Sequence, residues 1–466
     1  MNTRLAKSLY FTLQRLRREP VWRALGDVVQ LEALSREELR AVQTRRMRAL
    51  LLYAVDHVPY YRATLSALKG EIAKATSYER MFRVMSKVPP LEKGAIAGNE
   101  ASFKSDEIKR IPTSPNVTSG STGEPLMFPC DKLSWAYRHA LQIRCLSWFG
   151  VNVGEPYGYF FGLHWSRRHR LSTAARDFVF NRLRVSAYAI QPSRILEYYF
   201  HLRSRGVTHF AGYPSAIYEF CVLANEPGIS LRGLGLKAVF TTAEPLLPFQ
   251  RAVIEEATGA RCVNIYGSVE GGFNACECPA GRLHAMAEST WFQVDASTGQ
   301  VLVTDVFLKA FPLINYAIGD EIDFAPDSEV CKCGRPHPIV SSVVGRSGEP
   351  IRLPNGRLVN ANLPSYIFKP LAHLKRIRRY RFVEKPMGQL DLLLVVTQAF
   401  SRDDYAVVEK EVHKAFGPDI NLEIRIVDRL PTLPNAKHRC YIKLSIKEAP
   451  MYEALEGKWP TRTVVR

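Results

Sequence analysis

Between residues 157 and 266, runs rich in β-branched and aromatic residues alternate with longer amphipathic segments. The first kind predicts strands and the second predicts helices. Such alternation is typical of a layered α/β domain with a parallel sheet, whose ligands bind where the strands end. The pattern therefore predicts the fold class and the edge at which a site would lie. The predicted strands are Tyr157–Leu163, Thr208–Gly212, Leu236–Thr242 and Arg261–Tyr266, and the predicted helices are Ser215–Ala224 and Leu247–Thr258.

Polar segments follow three of these predicted strands. Tyr213 follows one strand, the segment Thr242–Pro245 ends the next, and Tyr266–Glu270 ends the last. Because parallel strands end at one edge of a sheet, we expect these segments to share a cleft. His164, after the first strand, is expected to be a core histidine, with the wall of a ligand pocket as the alternative.

A loop rich in glycine and hydroxyl residues lies upstream of the strands, at Thr118–Pro125. Glycine lets backbone N–H groups approach an anion closely, and hydroxyls add uncharged donors, so the loop suits a polyphosphate. It lacks the Gly-Lys-Ser/Thr ending of a Walker loop. The alternative is a flexible surface loop without a ligand. Its hydroxyl and glycine residues are Thr118, Ser119, Gly120, Ser121, Thr122 and Gly123.

Length and charge narrow the class of protein. A chain of 466 residues predicts two or three domains, and no apolar run is long enough to span a bilayer, so we expect a cytoplasmic protein. The net charge of +18 suits nucleic acid, an anionic membrane or an anionic substrate. The cations are scattered, so we expect a solvated basic surface and no nucleic acid.

Residues 1–85 are expected to be helical and to pack on a large domain. The first helix, Leu5–Leu16, is amphipathic and basic; it is expected to pack on its own domain, and peripheral membrane contact is the alternative. Ser35 begins a capping box that starts the second helix. Residues 86–345 are expected to form the ligand-binding domain. A hinge at Gly345–Glu349 would join it to a small α+β domain, 346–466.

Four cysteines occur in two close pairs, in a chain where disulfides are not expected. Two short knuckles are the usual way to present four ligands to zinc. We expect structural zinc in an insert at about 276–333, with reduced metal-free cysteines as the alternative. The predicted ligands are Cys278, His284, Cys331 and Cys333, with Cys276 as the alternative first ligand.

The order of these motifs resembles the adenylate-forming superfamily, and most closely its phenylacetate–coenzyme A ligase-like and capsular polysaccharide biosynthesis branch, over about residues 85 to 445. Each motif is short, but six occur in the family's order. They are Thr118–Pro125 (phosphate loop), Thr242–Pro245 (adenine turn), Tyr266–Glu270, Tyr316–Asp320 (ribose segment), Gly345–Arg346 (hinge) and Leu430–Lys437 (terminal lysine).

The resemblance implies a large layered domain with a small mobile C-terminal domain, and it implies a role for each motif. Lys437 would act on the α-phosphate of ATP, although Ala436 replaces the family's usual glycine and Lys443 is the alternative lysine. Glu270 would hold Mg²⁺, and Thr118 with the rest of its loop would hold the β- and γ-phosphates. The remaining nucleotide contacts would be Ala243, Glu244, Pro245 and Tyr266 at adenine, Asp320 at ribose, and Arg346 at ribose or phosphate. Gly267, next to Tyr266, would also belong to the nucleotide site.

The implied reaction is the ATP-dependent activation of a carboxylic acid as acyl-AMP, followed by transfer to a thiol, most simply coenzyme A. One alternative keeps the adenylate but passes it to an amine or hydroxyl in polysaccharide or secondary-metabolite biosynthesis. An alternative of another class is a basic, zinc-containing nucleic-acid-binding protein.

Overall fold

The computed structural model describes residues 1–117, 126–161, 170–187, 190, 192–346, 351–352, 358–359, 376–385, 389–397, 400–417, 420–430, 441–444 and 461–462. Its α-helices are α1 (Thr3–Leu16), α2 (Val21–Leu31), α3 (Arg36–His57), α4 (Pro59–Leu65), α5 (Lys69–Lys74), α6 (Tyr78–Met85), α7 (Lys93–Ile96), α8 (Lys132–Ser147), α9 (Arg170–Val179), α10 (Ile195–Ser204), α11 (Pro214–Asn225), α12 (Pro248–Thr258) and α13 (Arg402–Phe416).

The strands are β1 (Thr113–Val117), β2 (Met127–Asp131), β3 (Tyr157–Phe161), β4 (Arg182–Ser186), β5 (His209–Gly212), β6 (Ala238–Thr242), β7 (Arg261–Ser268), β8 (Gly272–Glu277), β9 (Leu283–Ala285), β10 (Thr290–Val294), β11 (Gln300–Asp305), β12 (Tyr316–Phe324), β13 (Ile339–Arg346), β14 (Ile351–Arg352), β15 (Leu358–Val359), β16 (Ile377–Glu384), β17 (Gln389–Val396), β18 (Asn421–Val427), β19 (Tyr441–Lys443) and β20 (Thr461–Arg462).

The N-terminal region is helical from α1 to α6. The predicted capping box starts α3: Ser35 Oγ accepts from the Glu38 N–H, and the Glu38 carboxylate accepts from the Ser35 N–H. This exchange satisfies two donors that a helix start otherwise leaves open. The helix α1 buries Ala6, Tyr10 and Gln14, so it packs on its own domain as expected. No helix in the described ranges is both long and apolar enough to cross a bilayer.

The large sheet has eleven strands, in the order β10-β11-β12-β13-β9-β8-β7-β6-β5-β3-β4. The strands β4, β3, β5, β6 and β7 run parallel, and the others add antiparallel pairs beyond β7. Buried side chains alternate between the two faces along β6, with Val239 in one core cluster and Phe240 in another. Helices cover both faces, as the apolar parallel strands require. The predicted layered α/β class is confirmed.

Residues 276–333, expected as an insert, contribute β9 to β12 to the same large sheet. These strands pair antiparallel and extend the sheet beyond its parallel strands. A continuous sheet results because β8 returns beside β7 and pairs in turn with β9. The two cysteine pairs therefore lie at the end of sheet strands.

A second sheet of five strands, in the order β19-β16-β17-β18-β20, carries α13 against one face. The strands and the helix lie where the sequence predicted a compact α+β unit. The strand β16 of this sheet contacts α11, which packs on the large sheet. Arg379 pairs with Glu219 at 2.8 Å, and the Tyr218 hydroxyl donates to the Ile377 carbonyl at 3.2 Å. The boundary at residues 345 and 346 stays a prediction.

Candidate active site

Three of the predicted nucleotide residues come together at the end of β7. The Tyr266 hydroxyl donates to Asp320 Oδ2 at 2.6 Å. In the antiparallel pairing of β12 with β13, Asp320 lies opposite Arg346. The sheet therefore brings together two residues that are distant in sequence. Tyr266 was predicted to face adenine. In the structure its hydroxyl also orients the Asp320 carboxylate.

The turn between β7 and β8 carries Glu270, which is 7% exposed. Arg138 of α8 holds this turn, since its guanidinium donates to the carbonyls of Val269 at 2.8 Å and Glu270 at 3.3 Å. Arg138 is itself fixed by Asp305 at 3.1 Å. The backbone that presents Glu270 is therefore held by a buried ion pair.

Two glycines in this turn are required by close packing. A Cβ on Gly267 would lie 2.9 Å from the Gly272 carbonyl oxygen, and Gly272 itself has φ +85°. A Cβ on Gly272 would meet Arg138 Nε at 2.8 Å. A side chain on Gly272 would push Arg138 away from the turn, whereas one on Gly267 would clash with the Gly272 backbone.

The Glu270 carboxylate accepts no hydrogen bond from any residue that the structure describes. Neither of its oxygens is both fully enclosed and unpaired, so solvent or a cation can reach the carboxylate. The strand β1 ends beside the same turn, where Asn116 Nδ2 donates to the Val269 carbonyl at 3.3 Å. The chain therefore enters the predicted phosphate loop next to Glu270.

The predicted adenine turn follows β6 directly. Ala243 has φ +69°, a left-handed conformation that costs a residue with a Cβ about 1 kcal/mol or more. The Glu244 carboxylate accepts from the Ser215 N–H at 3.3 Å, at the start of α11. Pro245 completes the turn. This contact joins the segment after β6 to Tyr213 and the segment after β5, as expected of neighbouring parallel strands.

Several predicted residues fall outside the described part of the chain. These are Thr118, Ser119, Gly120, Ser121, Thr122, Gly123, His164 and Lys437. For Arg346 the structure describes the strand but not the side chain. The alternative lysine, Lys443, lies on β19 and pairs with Glu384 at 2.8 Å.

The predicted metal ligands form one group: the ligating atoms of Cys278, His284, Cys331 and Cys333 all lie within 4.8 Å of one another. The Cys278 and Cys331 sulfurs are 3.7 Å apart, and Cys333 Sγ lies 3.3 Å from His284 Nε2. In a tetrahedral zinc site, two sulfurs are about 3.8 Å apart and a sulfur and a nitrogen about 3.6 Å. The spacing of the four side chains therefore fits that metal.

The protonation of His284 also suits a ligand. Its Nδ1–H donates to the His337 carbonyl at 3.1 Å, which leaves Nε2 to face Cys333. Burial lowers the pKa of His284 to about 4, so the ring is neutral near pH 7. The alternative ligand Cys276 is not part of the group; its side chain lies with Cys145 in another core cluster.

A charged network that the sequence did not predict lies behind the cysteine cluster. Arg144 and Glu288 are both fully buried, and Arg144 Nη1 lies 2.5 Å from Glu288 Oε1. His337 Nε2 donates to the other Glu288 oxygen at 3.1 Å. Although burial raises it, Arg144 and His337 hold the pKa of Glu288 well below its ordinary value. The network fixes His337, whose carbonyl orients His284.

Solved structures of other proteins share this fold. No protein-family model matches the chain. A solved structure of 2-hydroxyisobutyryl-CoA ligase, in the postadenylation state with an acyl-AMP ligand, superposes with a TM-score of 0.69 at 17% identity, over 92% of this chain and 94% of that one. The chain has the adenylate-forming fold. The predicted resemblance to that superfamily is confirmed.

Two curated proteins are similar to this chain over most of its length. The phenylacetate–coenzyme A ligase of Thermus thermophilus is 26% identical over 402 residues, which is 80% of this chain and 85% of that one. Protein CapK of Staphylococcus aureus is 23% identical over 347 residues, or 69% and 72% of the two chains.

Proposed function

We propose that the chain is an AMP-forming acid–thiol ligase, which activates a carboxylic acid with ATP and passes the acyl group to coenzyme A. The observation that carries the proposal is the cluster at the end of β7, where Tyr266, Asp320 and the Glu270 turn lie together. Similarity to the Thermus thermophilus phenylacetate–coenzyme A ligase over most of both chains supports the same class of reaction.

In the first step, a carboxylate oxygen of the acid attacks the α-phosphorus of ATP, and pyrophosphate leaves. Two anions must be brought together while negative charge builds on the phosphoryl oxygens, so positioning and electrostatic stabilisation supply the catalysis. We assign the β- and γ-phosphates to the loop Thr118–Gly123 and the α-phosphate to Lys437. The order of the motifs supports both assignments, and the contact of Asn116 with the Glu270 turn supports the first.

Asp320 binds the ribose in this scheme. A carboxylate has about four lone-pair sites, so the bond from Tyr266 orients it without using its whole capacity. The pairing of β12 with β13 places the backbone of Arg346 opposite Asp320, which supports assigning both residues to the same part of the nucleotide. The strand pairing thus supports a single nucleoside-binding site that includes both residues.

The turn between β7 and β8, which carries Glu270, is suited to hold magnesium. No described residue donates to the Glu270 carboxylate, and its oxygens are not enclosed, so it is available as an oxygen ligand for a dication. When bound, the ion neutralises charge on the phosphates. Glu270 would hold it, and Arg138 would hold the turn.

The second step forms a thioester as the coenzyme A sulfur attacks the acyl carbon and AMP leaves. We propose that the C-terminal sheet rotates about residues near Gly345 between the two steps. The Arg379–Glu219 ion pair and the Tyr218–Ile377 hydrogen bond would break in that rotation.

Zinc would be structural. Cys278, His284, Cys331 and Cys333 are spaced as a closed four-ligand site, and no ligand position is left for a substrate. The distances of 3.7 Å and 3.3 Å within the group support this assignment.

The test is carboxylate-dependent exchange of pyrophosphate into ATP, screened across aryl, fatty and amino acids. We expect exchange with at least one acid, and its loss in Asp320→Ala and in Glu270→Ala while both variants stay folded. Asp323→Ala is the matched control, because Asp323 lies on the same strand but is exposed and bonds Ser342. Unchanged exchange in both site variants would refute the assignment.

The acceptor of the acyl group needs a separate test. The similarity to protein CapK favours testing amine and hydroxyl acceptors beside coenzyme A. Once an acid is found, AMP release is measured with coenzyme A and with amine or hydroxyl acceptors. Release that requires coenzyme A, with loss of free thiol, supports the ligase. Retention on DNA or RNA at high salt, without exchange on any acid, would favour a nucleic-acid-binding protein instead.

A further inference from the structure

The face of α1 that points away from the protein has a composition that its packing does not explain. At about 100° per residue, six of the eight exposed side chains of α1 occupy an arc of about 120° opposite the buried Ala6, Tyr10 and Gln14. The other two, Thr3 and Lys7, lie on the side of the buried residues. This outer face is made of Arg4, Leu5, Ser8, Thr12, Arg15 and Leu16. It therefore mixes cations and leucines.

The charge on this helix is of one sign. The first 18 residues contain five cations and no acid. The first acidic residue, Glu19, is 7% exposed and turns inward to Lys132 at 3.1 Å. The five cations, which pair with no carboxylate among the residues the structure describes, are Arg4, Lys7, Arg15, Arg17 and Arg18.

Neighbouring elements do not neutralise the helix either. The helix α8 has no acidic residue, and the acids of α2, of α9 and of the loop before β3 are already paired. These pairs are Asp27 with Arg46, Asp177 with Arg182, and Glu155 with Lys237. The surface around α1 is therefore positive beyond the helix itself.

Large apolar side chains stand among these cations. Leu16 is 77% exposed and Leu5 is 53% exposed, and they lie three turns apart on one side of α1. Trp22, at the start of α2, is 70% exposed and contacts Phe11 edge to face at 5.4 Å. Exposed leucine and tryptophan beside arginine is the composition of a helix that lies in a membrane interface.

We propose that α1 and the start of α2 bind the surface of an anionic lipid bilayer. The cations would meet the lipid headgroups, while Leu5, Leu16 and Trp22 would enter the boundary with the acyl chains. A nucleic acid would use the cations alone, since it offers no apolar layer to the leucines. The exposed leucines are therefore what favours lipid.

The test is co-sedimentation of the full chain with vesicles of phosphatidylcholine, alone or with phosphatidylglycerol. We expect binding only to the anionic vesicles, and weaker binding as salt rises. Reversing Arg15, Arg17 and Arg18 to Glu should lower the partition coefficient by at least roughly a hundredfold, because each basic residue near the surface contributes about fivefold. Leu5→Ser with Leu16→Ser should also weaken it, without changing the net charge.

Matched controls separate this surface from general charge. Reversal of Lys104, Lys109 and Arg110 changes the net charge equally on another exposed region, and Leu196→Ser with Phe200→Ser removes a similar exposed pair from α10. Neither control should alter sedimentation. No binding by the wild type, equal loss in the controls, or binding to RNA but not to vesicles would each overturn the proposal. Adenylation measured without lipid should be unchanged in every variant.

Discussion

Replacing Tyr266 by Phe removes one hydroxyl from the candidate nucleotide site and leaves the ring in place. That hydroxyl donates to Asp320 Oδ2 at 2.6 Å, and both side chains are half-buried. If Asp320 binds the ribose, its carboxylate must be held in one orientation before ATP arrives. The substitution therefore tests the positioning of Asp320 separately from its charge.

The magnitude follows from the bond that is lost. A hydrogen bond to a charged group contributes about 1.5–3 kcal/mol, and water replaces part of it at a half-buried position, so we take about 1.4 kcal/mol. This corresponds to about a tenfold rise in KM for ATP. Because the ribose is bound similarly before and during the reaction, kcat should change little.

The assay is pyrophosphate exchange as a function of ATP concentration, at a saturating level of the acid. Tyr137→Phe is the matched control, since the Tyr137 hydroxyl also donates to a carboxylate, that of Asp27 at 2.9 Å, away from β7. Its KM for ATP should stay at the wild-type value. An unaltered KM in Tyr266→Phe, or an equal rise in Tyr137→Phe, would show that the bond to Asp320 does not position the nucleotide.

Two further predictions concern the cysteine cluster and the network behind it. The purified chain should contain about one zinc, which is lost in Cys331→Ser with Cys333→Ser and kept in Cys276→Ser; elemental analysis checks this, and a stable metal-free wild type would contradict it. Glu288→Gln should lower the free energy of unfolding by about 3 kcal/mol, because it removes the nearer carboxylate from the fully buried Arg144 and leaves only Glu32, at 3.6 Å. Denaturant unfolding measures the loss, and a change below about 1 kcal/mol would mean that Arg144 is neutralised in another way.

Local patterns predicted the fold well because the signals act over a few residues. The capping box at Ser35 depends on residues three apart, and the helix predicted at Leu247–Thr258 is found at Pro248–Thr258. Asp131 shows the limit of such reasoning. It stands at the start of α8 as a cap would, but its carboxylate accepts from the N–H groups of Lys309 and Ala310. The Asp131 carboxylate therefore bonds residues about 180 positions away in the sequence and makes no capping bond to α8.

The same limit applies to the candidate site. Motif order identified Asp320 and Tyr266 as members of one site, but not the hydrogen bond between them. Arg138 was missed altogether, since an arginine within an amphipathic helix gives no sign that it will hold a turn after β7. The candidate ligand-binding side chains belong to short motifs, whereas the side chains that hold those motifs in place are fixed by the packing of distant elements.

Strand pairing connects the cysteine cluster to the nucleotide site. The strand β8 begins beside the Glu270 turn and ends next to Cys278. The strand β13 begins with Ile339 opposite His284 and ends with Arg346 opposite Asp320. A metal that joined the far ends of these two strands would fix their register, because a shift of one residue would move every side chain to the other face. The cluster is thus placed to hold Asp320 and Glu270 in position from a distance, so a structural zinc there would also stabilise the candidate nucleotide site.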